Sequence, residues 1–295
     1  MSQQARLRAI RIKSGHLIEG YFYELCKNLK INSLIECGAY DAATSIKFCN
    51  FDENNKAIAF EANPYVFERF NSQINTRNIQ YLNLGVGKAV GKLKLNIPVH
   101  SPGSWTPQAS FDVNIEIDMA EDVEIEVTTL DVMCAELEAG NESQSATAIW
   151  IDVEGFAWEV LNGAKQTLSS TQCKLLYIEV SDEKIWGNEK SALSICEFLK
   201  GFDYYPIARD CPLANLYNIV FIKKTEIESI SQMTNEFWYN LARIKPGFYE
   251  RKSMRFYLSK IKSCFVRLTP GIFLIRMEKI FAKLGSKSSK EKLKF

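Results

Sequence analysis

Apolar positions recur along this chain in two rhythms. Short apolar runs appear at Ser33–Cys37 (SLIEC), Ala57–Glu61 (AIAFE), Ala148–Val153 (AIWIDV) and Lys174–Val180 (KLLYIEV), with Ile79–Leu84 as a further strand. Strands buried on both faces of a sheet need that pattern. Lys92–Ile97 (KLKLNI) alternates strictly instead, as a half-exposed strand does, and Glu124–Val127 looks similar. Between the runs the spacing becomes helical. Asp41–Asn50 is a helix candidate, and Pro64 suits the first turn of the next helix, where its missing N–H costs nothing. Thr128 or Thr129 can cap a helix running to Glu138. Phe156, Val160, Leu161, Ala164 and Leu168 share one helical face, and Ala192–Lys200 forms a helix that Gly201 ends. Phe202–Ile207 and Leu216–Ile222 are the last two strands.

Strand and helix therefore alternate from residue 33 to about 222. This predicts an α/β fold: a mostly parallel sheet with helices on both faces. The last two strands have no helix between them and are expected to close one edge as an antiparallel hairpin. Three parts follow: a helical segment over 1–30, an α/β domain over 31–224 and a basic helical extension over 225–295. Gly85, Gly87 and Gly91 open no helix, so they read as a hairpin turn.

Composition narrows the class. The chain has 295 residues, 46% of them hydrophobic and 24% charged, which excludes intrinsic disorder for most of it. Its eight cysteines form no CxxC pair, and two histidines cannot complete a Cys/His zinc pattern. The thiols are expected to be free in a reducing compartment. The net charge of +1 hides an asymmetry: residues 241–295 carry 15 Lys/Arg against Glu250, Glu278 and Glu291, a net +12, leaving −11 for the rest. Phe273, Met277, Ile280, Phe281 and Leu284 share one helical face of that tail. A basic amphipathic helix suggests peripheral contact with an anionic membrane surface. No apolar run there is long enough to span a bilayer. No signal peptide is evident, a cytoplasmic location is expected, and no motif points to nucleic acid.

The chemistry sits where the strands end, because open α/β sheets bind ligands beyond their carboxyl edge. Glu61 closes the second strand, 25 positions after Glu36. A carboxylate there can accept hydrogen bonds from both hydroxyls of a ribose. Gly38 lets the first turn approach a ligand closely. These features fit a dinucleotide or S-adenosylmethionine. A dinucleotide fold needs GxGxxG so that the pyrophosphate can sit on a helix N-terminus. Here the turn reads Gly38-Ala39-Tyr40-Asp41-Ala42, with a bulky ring and a negative charge where phosphate would lie. A ligand without phosphates tolerates both.

Three segments resemble the FkbM-type methyltransferases, a branch of the S-adenosylmethionine-dependent class I group. They are Glu36-Cys37-Gly38-Ala39-Tyr40-Asp41 with Thr44-Ser45, then Phe60-Glu61-Ala62-Asn63-Pro64. The most specific is Thr129-Leu130-Asp131 followed by Ile151-Asp152-Val153-Glu154-Gly155-Phe156 and Glu159-Val160-Leu161-Gly163-Ala164. The resemblance covers roughly residues 33–223. It implies a Rossmann-like sandwich of seven strands in the order 3-2-1-4-5-7-6, and S-adenosyl-L-methionine as cofactor. It also implies transfer of a methyl group to oxygen, on a saccharide or small-molecule acceptor. The family usually has Asp at Glu36, Asn at Tyr40 and Gly at Ala42.

The residues expected to hold the cofactor are Glu36, Gly38, Ala39, Tyr40, Asp41, Glu61, Asn63 and Val86. Asp152 and Glu154, just past the fourth strand, are the candidates to orient or deprotonate the acceptor hydroxyl. Asp152, Glu154, Glu179 and Asp182 could instead form an oxygen site for a divalent cation, and no metal ligands are assigned. His100 lies in a polar loop that could cover the pocket. Two other readings stand beside the enzyme: a degenerate member of the fold that binds a partner, and an NAD-dependent oxidoreductase.

Overall fold

A computed structural model describes residues 3–74, 78–98, 120–139, 145–182, 189–211 and 215–244. The chain divides into two units, Met1–Lys245 and Pro246–Phe295. The expected basic amphipathic helix and the loop carrying His100 lie outside the described residues.

Seven strands form the central sheet: β1 (Ser33–Cys37), β2 (Lys56–Phe60), β3 (Ile79–Leu82), β7 (Thr147–Ile151), β8 (Cys173–Ser181), β9 (Tyr204–Arg209) and β10 (Leu216–Lys223). Their order is β3-β2-β1-β7-β8-β10-β9. Numbered along this sheet alone, that is 3-2-1-4-5-7-6. The first five run parallel, and β10 is antiparallel to both β8 and β9. The apolar runs read from the sequence thus become the strands with helices on both sides.

Three short strands form a separate sheet, β4 (Gly85–Val86), β6 (Ala120–Thr128) and β5 (Gly91–Pro98), in the order β4-β6-β5. This corrects the hairpin expected at Gly85–Gly91. Gly85 and Val86 pair in parallel with Val127 and Thr128, and β5 pairs antiparallel with β6 on its other side. The alternation of Lys92–Ile97 has its expected cause: Leu95 and Ile97 are buried on Ile125, while Lys92 and Lys94 are exposed.

Helix α1 (Gln3–Asn28) lies on one face of the sheet. Phe22 meets the stacked rings of Trp150 and Tyr177 edge-on, at 5.2 and 5.7 Å. Helix α8 (Ser231–Arg243) packs on α1, where Tyr21 stacks on Phe237 at 4.8 Å and hydrogen-bonds Thr234 at 2.6 Å.

The helix expected from Phe156 through Leu168 is two helices, α5 (Ala157–Asn162) and α6 (Lys165–Ser169). Gly163 stands at the break. A Cβ there would lie 2.0 Å from the Gly87 carbonyl oxygen, so the backbones touch and only glycine fits. Thr129 accepts from the N–H of Val132 and so caps α4 (Leu130–Ala139). Asp131 accepts from Gln166 N, Thr167 N and Thr167 Oγ1, tying α4 to the start of α6. The Thr129-Leu130-Asp131 motif is therefore a brace between helices. None of its three residues lines the cavity at the carboxyl edge.

Candidate active site

One cavity opens at the carboxyl edge, where the strand order reverses between β1 and β7. Open α/β sheets hold ligands at such a switch point. Gly38, Tyr40, Phe60, Glu61, Asn63, Val86, Asp152 and Glu154 contribute to its wall. Seven of the ten residues expected at the site therefore meet in one place. Glu36, Ala39 and Asp41 do not line it. Gly85, which follows the third strand, does, and so do Leu84, Val66 and Leu95, none of them among the expected residues. Leu95 was legible only as the inward phase of an alternating strand, with no sign of which cavity it would face.

Each side chain has a local reason for its position. Gly38 adopts φ +80°, and a Cβ there would lie 1.9 Å from the Asp152 carbonyl oxygen. Its missing side chain lets the turns after β1 and β7 touch, locked by Asp152 N–H to the Cys37 carbonyl at 3.0 Å. Tyr40 and Ala42 also stand in left-handed backbone, φ 49° and 52°. Asn and Gly reach that region most easily, which accounts for the family's usual residues there. The Tyr40 ring packs on Phe70 at 5.4 Å, and its carbonyl accepts from the Tyr81 hydroxyl.

Glu61 is buried and accepts one backbone N–H on each oxygen, from Tyr40 and from Asn63, both at 2.7 Å. Ionised, it has about four lone-pair positions, so about two remain for a ligand. Burial pushes its carboxyl up to about 7, and the two amides oppose that shift. Asn63 caps α3 (Pro64–Ile74) by accepting from Tyr65 N and Val66 N. Asp41 caps its own turn through Ala43 N at 3.1 Å. Glu36 spends one oxygen on Ser45, from N at 2.9 Å and Oγ at 2.5 Å, pinning the start of α2 (Ala43–Cys49). Burial moves Glu36 up to about 7 against those bonds.

The turn after β7 brings acids together. Glu154 sits at φ 44°, and one oxygen each of Asp152, Glu154 and Glu179 lie within 4.8 Å of one another. Burial raises the Asp152 carboxyl, burial and then the Asp152 charge raise Glu179, and the same two causes hold Glu154 at about 8. Such a trio can share protons or face a cation. Asp182 stands apart and accepts from the Tyr217 hydroxyl at 2.6 Å. Arg11 of α1 reaches the same acids. Its guanidinium lies 3.8 Å from Glu179 and pairs with the fully buried Asp210 at the end of β9. The sequence offered no signal for this. The link spans 199 residues between Arg11 and Asp210, and one arginine among four N-terminal cations looked like any other.

Against known proteins, the pattern of the methyltransferase FkbM domain matches residues 36–206. A stretch of 81 residues is 33% identical to the 2-O-methyltransferase NoeI of Sinorhizobium fredii, covering 28% of this chain and 31% of that protein. Among solved structures, the magnesium protoporphyrin IX methyltransferase of Synechocystis with bound SAM superposes with a TM-score of 0.39 and 6% identity. That match covers 74% of this chain and 79% of that one. M. capricolum TrmK with S-adenosyl-homocysteine gives 0.35 and 12%, over 81% and 92%. The match over more than half of the residues, on the segments that build the cavity, places this chain in the FkbM methyltransferase family.

Proposed function

We propose that this methyltransferase uses S-adenosylmethionine and methylates a hydroxyl oxygen of a saccharide. The observation that carries the reading is the meeting of Glu61, Gly38, Asp152 and Glu154 around one cavity at the switch point. The residues fit the cofactor. Glu61 keeps lone pairs for two ribose hydroxyls, the acidic turn after β7 suits a cationic sulfonium, and the turn after β1 lacks the GxGxxG that seats a pyrophosphate. The oxygen acceptor follows the relative named as a 2-O-methyltransferase.

When bound, S-adenosylmethionine would supply a methyl group on positively charged sulfur, which would keep the C–S bonding pair as a neutral thioether. The protein's share is alignment and proton removal. Glu61 would hold the ribose, anchoring the cofactor for alignment with the acceptor. In-line alignment of two reactants is worth up to about 7–11 kcal/mol of the barrier. A hydroxyl must lose its proton as the new C–O bond forms. Glu154 and Asp152 are the acceptors of that proton. Burial raises both carboxyls, Glu154 to about 8, and a neighbouring cation favours their ionised forms.

The test is isotope transfer. Purified protein, S-adenosylmethionine labelled in the methyl group and a panel of saccharides are expected to give labelled methyl ether and S-adenosylhomocysteine in equal amounts. Label on nitrogen or carbon contradicts the oxygen assignment. Cofactor binding with no transfer to any acceptor favours a binding protein on the same fold, a reading that the strained Tyr40 and Ala42 positions also motivate.

A further inference from the structure

Two chain segments that line the cofactor cavity run on into the lining of a second groove. Leu84–Val86 and Asp152–Glu154 line the cavity. The next stretches of those same segments, Lys88–Lys94 and Gly155–Glu159, supply residues to a groove of about 560 Å³. Along the chain, Gly155 of the groove follows directly on Glu154 of the cavity, a candidate base. The two segments are held in register by glycine. Gly163 meets the Gly87 backbone directly, and a Cβ on Gly87 would crowd Val127 and the Phe156 ring at 3.2 and 3.3 Å.

Its lining has a definite chemistry. Phe156 and Trp158 form one side, and Val90 (65% exposed) and Leu93 (39% exposed) face it from the other. Large apolar side chains concentrated in a concave site mark a binding surface. Polar groups alternate in sign around them. Lys88 pairs with Glu159 at 3.2 Å, Lys92 with Glu124 and Glu126 at 2.9 and 3.2 Å, and buried Glu189 accepts from Ser181 at 2.7 Å. Each of these lysines already has an acid beside it, so the groove is no trap for a phosphate or carboxylate. A flat apolar face with hydroxyls along its edge fits better. Ammonium groups donate to such hydroxyls and carboxylates accept from them.

We propose that this groove is the acceptor subsite and that its occupant is a neutral pyranoside, its C–H face on Trp158 and Phe156 and one hydroxyl directed to Glu154. This rests on the methyltransferase reading above and adds where, and by what chemistry, the acceptor is held. The test uses full-length protein and saturation-transfer NMR with p-nitrophenyl and methyl hexopyranosides, with hexose 6-phosphates as the anionic comparison. Wild type, Leu93→Arg and Trp158→Ala are compared, and S-adenosylmethionine affinity is measured on each by calorimetry. Neutral glycosides are expected to bind wild type and to lose at least tenfold in both variants, with cofactor affinity held within twofold. Because Leu93 is exposed, its variant stays informative even if Trp158→Ala fails to fold. No glycoside signal with wild type, a signal that survives Leu93→Arg, or a preference for the phosphates overturns the proposal. Loss of cofactor binding by wild type would instead overturn the methyltransferase reading, and the glycoside result would stand separately.

Discussion

Gly38 carries the heaviest local constraint at the site. An alanine there would meet left-handed strain of about 1–2 kcal/mol and a carbonyl contact at 1.9 Å that only backbone movement relieves. Overpacking of that kind adds about 1–3 kcal/mol. Gly38→Ala is therefore expected to lose about 3 kcal/mol by denaturant unfolding, and a loss below about 1 kcal/mol would contradict this account of the turn. Ala42→Gly supplies the opposite case. It relieves the same backbone strain but removes a fully buried methyl group worth about 0.8 kcal/mol, so the two effects should nearly cancel. Sequence resemblance could mark Tyr40 and Ala42 as departures from the family. It could not say that the reason for Asn and Gly is a positive φ, because backbone angles leave no trace in composition.

At the scale of elements, legibility followed burial. Strands apolar on both faces announced themselves, and the reversed last pair was visible from the missing helix between β9 and β10. Long-range contacts between backbones were not visible. One expected helix is two, parted at Gly163 where the chain meets the Gly87 backbone, and β4 pairs with β6 in place of an expected hairpin. The role of α1 was also hidden, because its link to the site runs through Arg11 and Asp210. Removing one partner of a buried ion pair leaves the other charge stranded, at a cost of about 3–5 kcal/mol. Arg11→Met is expected to fall near the lower end, since its side chain keeps 18% exposure. Asp210→Asn alone should cost less, because Asn218 can still bond the amide. A double-mutant cycle should then give a coupling above about 1 kcal/mol. Additive losses would mean that the pair does not tie α1 to the sheet edge.

For the whole molecule, the acids at the site dictate a pH dependence. Glu36 and Glu61 are raised to about 7 and Glu154 to about 8, from an ordinary 4.5. In that window the folded state binds more protons than the unfolded chain, so stability must fall as pH rises from about 4.5 to about 8, and Glu179, raised to about 9, carries the fall further. Calorimetric Tm should be lower at pH 8.5 than at pH 6, and an unchanged Tm would contradict the buried placement of these carboxyls. Cofactor affinity should move the other way, since ionised carboxylates favour a cation. No helix among the described residues is long and apolar enough to cross a membrane. The central claim is that the switch-point cavity takes S-adenosylmethionine, with Glu61 on its ribose. Isothermal titration calorimetry of wild type and Glu61→Gln with S-adenosylmethionine, S-adenosylhomocysteine and NAD tests it most directly. The amide would present an NH₂ to one of two backbone N–H donors and lose a charge-assisted acceptor, a change of about 1.5–3 kcal/mol. The account predicts saturable binding of both sulfur ligands by wild type, none of NAD, and at least a tenfold loss in Glu61→Gln. Binding of NAD, or sulfur-ligand affinity untouched by the substitution, would contradict it.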